Sequence, residues 1–234
     1  MALEIPRENR HMANTDEAIA LIVRERAKVA AQSALLVAVS GIDGSGKGYI
    51  TEKIVTQLLL QRLRVASINI DGWLHLPEKR FSTEHSAEHF YKHGIRFEEM
   101  FGQLVLPLKE MRSHRTLAQL ADATNASACR EHLYEFEDVD IVILEGIFLL
   151  KKAFRAYYDL SLWVDCTFAT ALERAVQRGQ EGLPREETIR DFETIYFPAQ
   201  RIHIARDDPR TYSTLIITND PRLDSGHTVG FMAK

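Results

Sequence analysis

Short apolar runs alternate with amphipathic segments along the chain. The runs that predict strands are at 35–40, 65–71, 140–146, 159–166 and 213–220. They are rich in β-branched and large aliphatic side chains, which is typical of strands buried on both faces of a parallel sheet. Segments with apolar residues at helical spacing separate most of them. This order predicts an α/β fold, a mostly parallel sheet with helices on both faces.

The same periodicity sets the predicted helices. They cover 15–32, 49–63, 84–93, 96–106, 168–178 and 185–205, with a further short helix near 150–157. Thr15 is the predicted N-cap of the first helix. The helix after residue 96 is expected to stop before Pro107, and the last helix to tolerate Pro198 or kink there. Residues 109–137 have no clear period and are expected to be irregular.

Composition narrows the class of protein. The chain has 234 residues, a formal net charge of −4 and 45% hydrophobic residues, which suits one α/β domain with a full core. Its mild acidity gives no electrostatic reason to expect nucleic acid or a membrane as partner. No apolar run approaches the roughly 20 residues of a spanning helix, and the N-terminus lacks a secretory core. Cys129 and Cys166 have no metal-type spacing and are expected to be reduced. We therefore expect a cytoplasmic protein.

A glycine-rich loop follows the first predicted strand. Residues 41–48, GIDGSGKG, match the phosphate-binding pattern G-x-x-x-x-G-K-[ST] at every fixed position except the last, where Gly48 replaces a hydroxyl residue. Backbone N–H groups of such a loop and the following helix N-terminus bind phosphate oxygens, and Lys47 adds a positive charge. The candidate nucleotide contacts are Gly41, Asp43, Gly44, Ser45, Gly46, Lys47, Gly48 and Tyr49.

Two acidic residues end predicted strands. Asp71 closes VASINID and Glu145 closes DIVILE, so both are expected at the carboxyl edge of the sheet, near the loop. Phosphoryl transfer to a hydroxyl needs one carboxylate to orient or deprotonate the acceptor and another to hold magnesium. Asp71 suits the first role and Glu145 the second. The alternative is that both are ordinary polar residues at strand ends.

These segments together resemble the uridine kinase and phosphoribulokinase group of P-loop kinases. The resemblance runs from about residue 34 to 220 and is carried by GIDGSGKG, INIDGWL, VDIVILEGIFLL, DLSLWVDCTFATALERAVQRG, FETIYFPAQRIHI and STLIITND. It implies a three-layer P-loop NTPase fold with a small helical lid, and the use of ATP and Mg²⁺. The implied organisation is an N-terminal helical extension (1–33), a kinase domain (34–220) with its acceptor region at about 72–135 and lid at about 174–190, and a tail (221–234).

Carried over by position, the resemblance also implies catalytic roles. Lys47 binds the phosphates, Asp71 is the base and Glu145 belongs to the magnesium environment. Arg174 and Arg178 match the arginines of a mobile lid that closes over ATP. Their i, i+4 spacing puts them on one helix face, although such a pair alone is usually solvated surface.

Gly48 removes the hydroxyl that normally coordinates magnesium. Magnesium keeps several waters and needs only one or two protein ligands, so a water could fill the position. Thr51 lies on the same helix face and is the predicted anchor of that water, with Ser45 as a second candidate. The predicted metal environment is therefore Glu145, Asp71 and Thr51.

The acceptor pocket has weaker signals. Trp73 and Tyr91, with Phe90, follow Asp71 and are candidates to contact the acceptor. Arg96 and Arg80 could bind an anionic acceptor. His85, His89 and His93 have i, i+4, i+8 spacing, which fits either a zinc-binding column or a polar helix face.

The sequence predicts an ATP-dependent, magnesium-requiring kinase that phosphorylates a hydroxyl of a small molecule, first of all a nucleoside such as uridine. Pantothenate, a sugar phosphate or another small alcohol is the alternative acceptor. A nucleotide-binding regulator with weakened catalysis is the rival class, because of Gly48. A GTPase is disfavoured, since there is no N-K-x-D-like stretch. Homo-oligomerisation is left open.

Overall fold

A six-stranded parallel sheet organises the chain. The computed structural model describes residues 12–122, 128–179 and 182–224, so parts of the predicted extension, tail and lid lie outside it. The strands of the sheet are β1 (Met12–Ala13), β2 (Leu35–Gly41), β3 (Val65–Asn69), β6 (Ile141–Gly146), β7 (Leu160–Asp165) and β8 (Leu215–Thr218). They are arranged in the order β1-β8-β7-β2-β6-β3, and every pair is parallel. The predicted α/β class is confirmed.

Both faces of the sheet are covered by helices. In the central strand β2, all seven residues are buried, and alternate side chains enter two different clusters. Leu35 and Val37 pack against α1 (Thr15–Arg26) and α2 (Lys47–Leu60). Leu36 and Ala38 enter the larger cluster on the other face. Each fully buried aliphatic side chain contributes about 1.5–3 kcal/mol, which explains why this strand is an unbroken apolar run.

The remaining helices cover the second face and the carboxyl edge. They are α3 (Pro77–Arg80), α4 (Ser86–His93), α5 (Phe97–Met100), α6 (Leu106–Met111), α7 (Phe168–Arg178), α8 (Arg185–Asp191), α9 (Phe197–Asp207), α10 (Pro209–Tyr212) and α11 (Pro221–Asp224). The predicted helix near 150–157 is only a 3-10 turn over Arg155–Tyr157. Over the described ranges, no helix is both long and apolar enough to cross a membrane.

The ends of α1 differ from the prediction. Its N-cap is Asn14, not Thr15, because Asn14 and Glu17 form a reciprocal capping box. The Glu17 N–H donates to Asn14 Oδ1 at 2.9 Å, and the Asn14 N–H donates to Glu17 Oε2 at 2.8 Å. The helix ends at Arg26, several residues before the predicted end at 32.

Two prolines follow π-helical turns instead of ending helices. One π turn covers Phe101–Val105 and leads into α6, which contains Pro107. The other covers Phe192–Tyr196 and leads into α9, which contains Pro198. A π turn inserts one residue and shifts the hydrogen-bond register, so the missing proline N–H and its bulky ring are accommodated. The predicted stop before Pro107 is therefore wrong.

The stretch expected to be irregular contains an antiparallel hairpin. Its strands are β4 (His114–Ala121) and β5 (Cys129–Phe136), with Leu117 paired to Leu133. The inner face packs Ala118 and Leu120 on the core, while alternate positions are exposed. Because charged and short side chains occupy many of these positions, the alternation was too weak to recognise from sequence.

Candidate active site

The glycine-rich loop connects β2 to α2 at the carboxyl edge of the sheet. Gly44 and Gly46 both have positive φ, 76° and 83°. A Cβ on Gly44 would stand 2.4 Å from the carbonyl oxygen of Ala171, and a Cβ on Gly46 would stand 2.2 Å from Asn219 Nδ2. Only glycine fits these two positions, because of both the backbone conformation and the close neighbours. The loop is thus pressed against α7 and the end of β8.

The peptide between Ser45 and Gly46 is fixed from behind. Its carbonyl oxygen accepts hydrogen bonds from Asn219 Nδ2 at 2.8 Å and Arg174 Nη1 at 3.1 Å. Arg174 Nη1 also donates to the Asn219 carbonyl at 2.9 Å. In a trans peptide the C=O and N–H point in opposite directions, so the Gly46 N–H faces away from these two side chains. We call this arrangement, formed by Arg174, Asn219 and the Ser45 carbonyl, the loop clamp.

The front of the loop offers free donors. No described residue accepts a hydrogen bond from the backbone N–H of Gly46, Lys47 or Gly48, which form the N-terminus of α2. The Asp43 N–H is instead held by Gln200 Oε1, at 2.9 Å. Unsatisfied N–H groups at a helix start, beside a lysine, are the donors that bind phosphate oxygens. These residues therefore fit the phosphates of a nucleotide.

Asn69 connects the two predicted acidic residues. Its Nδ2 donates to Glu145 Oε2 at 2.6 Å, and its Oδ1 accepts from the Asp71 N–H at 2.7 Å. Asn69 and Glu145 are directly paired in the register of β3 and β6. Asp71 itself lies just beyond β3, in a 3-10 turn over Ile70–Trp73, not at the end of the predicted strand. The sequence reasoning missed Asn69, whose only signal was an amide two residues before Asp71.

The site raises the proton affinity of both carboxyl groups. Burial raises the pKa of Glu145; the positive charge of Lys47 opposes this and the negative charge of Asp71 adds to it. Lys47 Nζ lies 3.9 Å from Glu145 Oε1. Asp71 is exposed, yet desolvation raises its pKa as well, and the positive charge of Lys47 again opposes this shift. A raised pKa suits a carboxylate that must accept a proton.

The Asn69 bridge leads to a first prediction. Asn69→Asp should lower kcat/KM by about 10- to 100-fold, because a third carboxylate replaces the amide donor and leaves Glu145 without its hydrogen bond. The acid limb of the pH profile should also move to higher pH. Ser67→Asp adds the same charge two residues earlier on the exposed face of β3 and is the matched control. An unchanged profile in Asn69→Asp would show that the bridge is dispensable.

The two predicted lid arginines have different places. Arg174 belongs to the loop clamp and lies behind the loop, so its predicted role of closing over ATP is corrected to one of positioning. Arg178, at the end of α7, faces the site: its Nη2 is 3.9 Å from Asp43 Oδ1. Its charge lowers the pKa values of Asp71 and Glu145. Residues 180 and 181 of the predicted lid lie outside the described residues.

Trp73 and Arg96, both predicted to contact the acceptor, make their contacts within the protein. Trp73 is fully buried and stacks on Tyr134 of the hairpin, with 6.3 Å between ring centroids. The Arg96 guanidinium lies over the Trp73 ring and donates to the carbonyls of Gly72 and Gln119. Both side chains attach the hairpin to the turn that carries Asp71. Their contact with the acceptor stays a prediction.

Tyr91 is also buried, and its hydroxyl makes a hydrogen bond inside the protein. Its hydroxyl donates to Asp207 Oδ2 at 2.6 Å, and His203 Nδ1 lies 2.7 Å from the same oxygen. These contacts hold the pKa of Asp207 down to about 2, against the effect of its burial. They join α4 to α9. The contact between Tyr91 and the acceptor stays a prediction, and these interior hydrogen bonds do not support it.

The histidine column does not form. His85 precedes α4 with φ of 48°, while His89 and His93 lie on the helix with ring centroids 4.7 Å apart. His89 Nε2 is 2.9 Å from the Lys79 carbonyl oxygen. No group of three or more histidine, cysteine, aspartate or glutamate side chains in the described part of the chain is arranged to hold a metal ion.

The donor set still fits magnesium in a nucleotide complex. Glu145 and the neighbouring Asp71 are the carboxylates that would be available to Mg²⁺ besides phosphate oxygens and water. Ser45 Oγ and Thr51 Oγ1 are buried and have no hydrogen-bond partner among the described residues. At Gly48, a Cβ would meet nothing within 4 Å, so the position has room for a hydroxyl-bearing side chain.

Gly48→Ser is a direct test of the missing ligand. We expect it to lower the Mg²⁺ concentration for half-maximal activity by about 3- to 10-fold, because the new hydroxyl adds one ligand in open space. Gly102→Ser is the matched control, since Gly102 is also exposed and a Cβ there also meets nothing within 4 Å. If magnesium dependence is the same in both variants, water already fills the position adequately.

Known proteins are similar to this chain in sequence and in fold. No family model matches the chain. The uridine kinase of Macrococcus caseolyticus is 26% identical over 185 residues, covering 78% of this chain and 86% of that protein. The resemblance to the uridine kinase group of P-loop kinases is confirmed. A possible uridine kinase from Bacillus stearothermophilus has the same P-loop kinase fold, with a TM-score of 0.67, 19% identity and coverage of 86% of this chain and 98% of that one.

A third comparison widens the range of relatives with this fold. The D-glycerate 3-kinase from Cryptococcus neoformans var. grubii superposes with a TM-score of 0.63 and 12% identity, covering 88% of this chain and 95% of that one. The predicted three-layer P-loop fold is confirmed. The prediction of an ATP-dependent small-molecule kinase is confirmed at the level of enzyme class.

Proposed function

We propose that this P-loop kinase transfers the γ-phosphoryl group of ATP to a hydroxyl of a nucleoside-type small molecule, with Asp71 as the base. The observation that carries the proposal is the Asn69 bridge. It sets Asp71 and Glu145 side by side, within reach of Lys47 and of the free N–H groups of the loop. One carboxylate can therefore serve the acceptor while the other serves the nucleotide.

The reaction follows from these positions. The phosphates of ATP lie along the loop, held by its N–H groups and by Lys47. Asp71 takes the proton of the acceptor hydroxyl. The hydroxyl oxygen then bonds to the γ-phosphorus while the bond from that phosphorus to the β,γ-bridging oxygen breaks, and ADP leaves. Arg178 adds positive charge at the loop. Magnesium, held by Glu145, would neutralise charge on the phosphates.

The nucleoside is the finer part of the proposal. It is supported by the relatives, which are named uridine kinase. The acceptor side of the site carries no base-stacking ring of its own among the predicted residues, since Trp73 and Tyr91 are buried in the core. Because the relatives are named uridine kinase, uridine is the first acceptor to test, with sugars, sugar acids and pantothenate beside it.

A nucleotide-binding regulator is the second candidate, favoured by Gly48. One experiment separates the two. The protein is incubated with ATP, Mg²⁺ and each candidate acceptor, and both ADP and phosphorylated acceptor are measured. Phosphorylated uridine supports the full proposal, and another phosphorylated alcohol supports the kinase with a different acceptor. ATP binding without any acceptor-dependent ADP supports the regulator.

A further inference from the structure

Arg80, near the proposed base, has a buried guanidinium Nε without a hydrogen-bond partner among the described residues. Arg80 ends α3, the first helix after the turn that carries Asp71. Its side chain is half-buried, and its Nε is enclosed and has no hydrogen-bond partner among the described residues. Its Cζ stands 4.8 Å from the centroid of the Phe81 ring. Burial lowers the pKa of Arg80, and Tyr196 and Asp71 oppose this shift through their charge alone.

Other enclosed arginines of the chain are satisfied by the protein itself. Arg96 donates to two backbone carbonyls, Arg112 to three carbonyls and Asp140, and Arg174 to the loop clamp. A guanidinium has five donors, and enclosing it without acceptors costs free energy. Arg80 is therefore the one in this set whose acceptors must come from elsewhere.

The surroundings hold Arg80 in place, and its side chain is still partly exposed. Phe81 stacks on Phe90, at 5.8 Å between centroids, and packs edge-on against Tyr196 at 6.4 Å. The Arg80 N–H donates to the Leu76 carbonyl, and the neighbouring Lys79 carbonyl contacts His89 of α4. A planar guanidinium supported on an aromatic ring is arranged to bind a planar or tetrahedral oxyanion through two parallel hydrogen bonds.

We propose that Arg80 binds a negatively charged group of the acceptor, a carboxylate or a phosphate, while the hydroxyl to be phosphorylated lies at Asp71. This inference rests on the proposed kinase function but changes its acceptor: it favours nucleotides, sugar phosphates and hydroxy acids, and it therefore replaces the neutral nucleoside by an acceptor that carries an anionic group. Arg80 follows the end of β3, on the side of Asp71, whereas the ATP loop follows β2. The anion is therefore assigned to the acceptor and not to ATP.

The test uses pairs of compounds that differ by one anionic group. These are uridine and uridine 5′-monophosphate, ribose and ribose 5-phosphate, glycerol and D-glycerate, and pantothenol and pantothenate. Each is assayed for ATP-dependent turnover and for a shift in melting temperature with a non-hydrolysable ATP analogue. The variants are Arg80→Met, Arg80→Lys, and Lys79→Met as the control, because Lys79 is the exposed cation next to Arg80 on α3.

We expect an anionic member to be the better acceptor. Arg80→Met should raise its KM by about 10- to 100-fold, leave the KM for ATP within about two-fold, and leave the neutral partner unaffected. Arg80→Lys should restore part of the loss, and Lys79→Met should change nothing. If no compound is turned over, the proposed kinase function is rejected. The anion site is still supported if an anionic compound raises the melting temperature of the wild type and this rise is lost in Arg80→Met.

Three results overturn the inference. The first is equal use of neutral and anionic partners in wild type and Arg80→Met, which leaves the kinase function standing. The second is a rise in the KM for ATP alone in Arg80→Met, which would show that Arg80 binds the nucleotide and not the acceptor. The third is a panel in which no anionic compound is either phosphorylated or stabilising.

Discussion

Replacing Asp71 by asparagine is expected to lower kcat by about 10²- to 10⁴-fold while ATP still binds. The amide keeps the size of the side chain and leaves the Asn69 hydrogen bond to the Asp71 backbone N–H in place. It removes the negative charge and with it the basicity that lets the side chain accept the proton of the acceptor. Turnover with the best acceptor and ATP affinity by calorimetry are the two measurements. Glu78→Gln, which removes an exposed charge at the start of α3, is the control.

The pH profile gives this prediction a direction. Desolvation raises the pKa of Asp71, and the base works only when ionised, so kcat/KM should fall as pH drops through that raised pKa. The acid limb should thus lie at higher pH than an ordinary aspartate would give. Arg178→Met should move it higher still, because the Arg178 charge lowers this pKa. Full turnover in Asp71→Asn, or an acid limb in the usual pH range of an aspartate, would show that Asp71 is not the base.

Lys47→Met is the second large change. It should lower kcat/KM for ATP by about 10²- to 10³-fold, because a preorganised charge at the phosphates is lost. Lys47 also lowers the pKa values of Glu145 and Asp71, so both carboxyl groups should bind protons more readily in the variant. The acid limb of the remaining activity should then move to higher pH.

Lys53→Met is the control for this substitution. Lys53 lies on the same helix, is exposed, and has its Nζ 4.4 Å from the centroid of the Tyr49 ring. Its loss removes the same charge without touching the loop. Steady-state kinetics in ATP and a pH series for all three proteins make the comparison. Equal effects of the two variants would mean that Lys47 acts only through the overall charge of the protein.

The sequence predicted the parts of the molecule that depend on local pattern. The buried strands β2 and β6 are continuous apolar runs, and the loop and acidic residues stand at their ends or next to them. The positions of Lys47 and Glu145 in a parallel sheet follow directly, because carboxyl ends of its strands share one edge. Their distance of 3.9 Å agrees with this reasoning.

Contacts between distant segments were beyond that reasoning. Trp73 and Tyr91 have the residue types of a binding pocket, but the hairpin and α9 bury them. Arg174 follows a family pattern, yet it reaches back to Ser45, far away in sequence. Asn69 and Asn219 carry no motif and are recognisable only once the neighbouring strands are in place. Burial and register decided each of these roles.

The loop clamp couples nucleotide binding to the local order of the chain at the end of β8. A phosphate that polarises the Gly46 N–H also makes the Ser45 carbonyl a better acceptor for Asn219 and Arg174. By thermodynamic reciprocity, whatever strengthens that carbonyl contact raises ATP affinity by the same factor, and ATP slows local opening at the end of β8. Amide hydrogen exchange around residues 215–220 would thus report occupancy of the phosphate site.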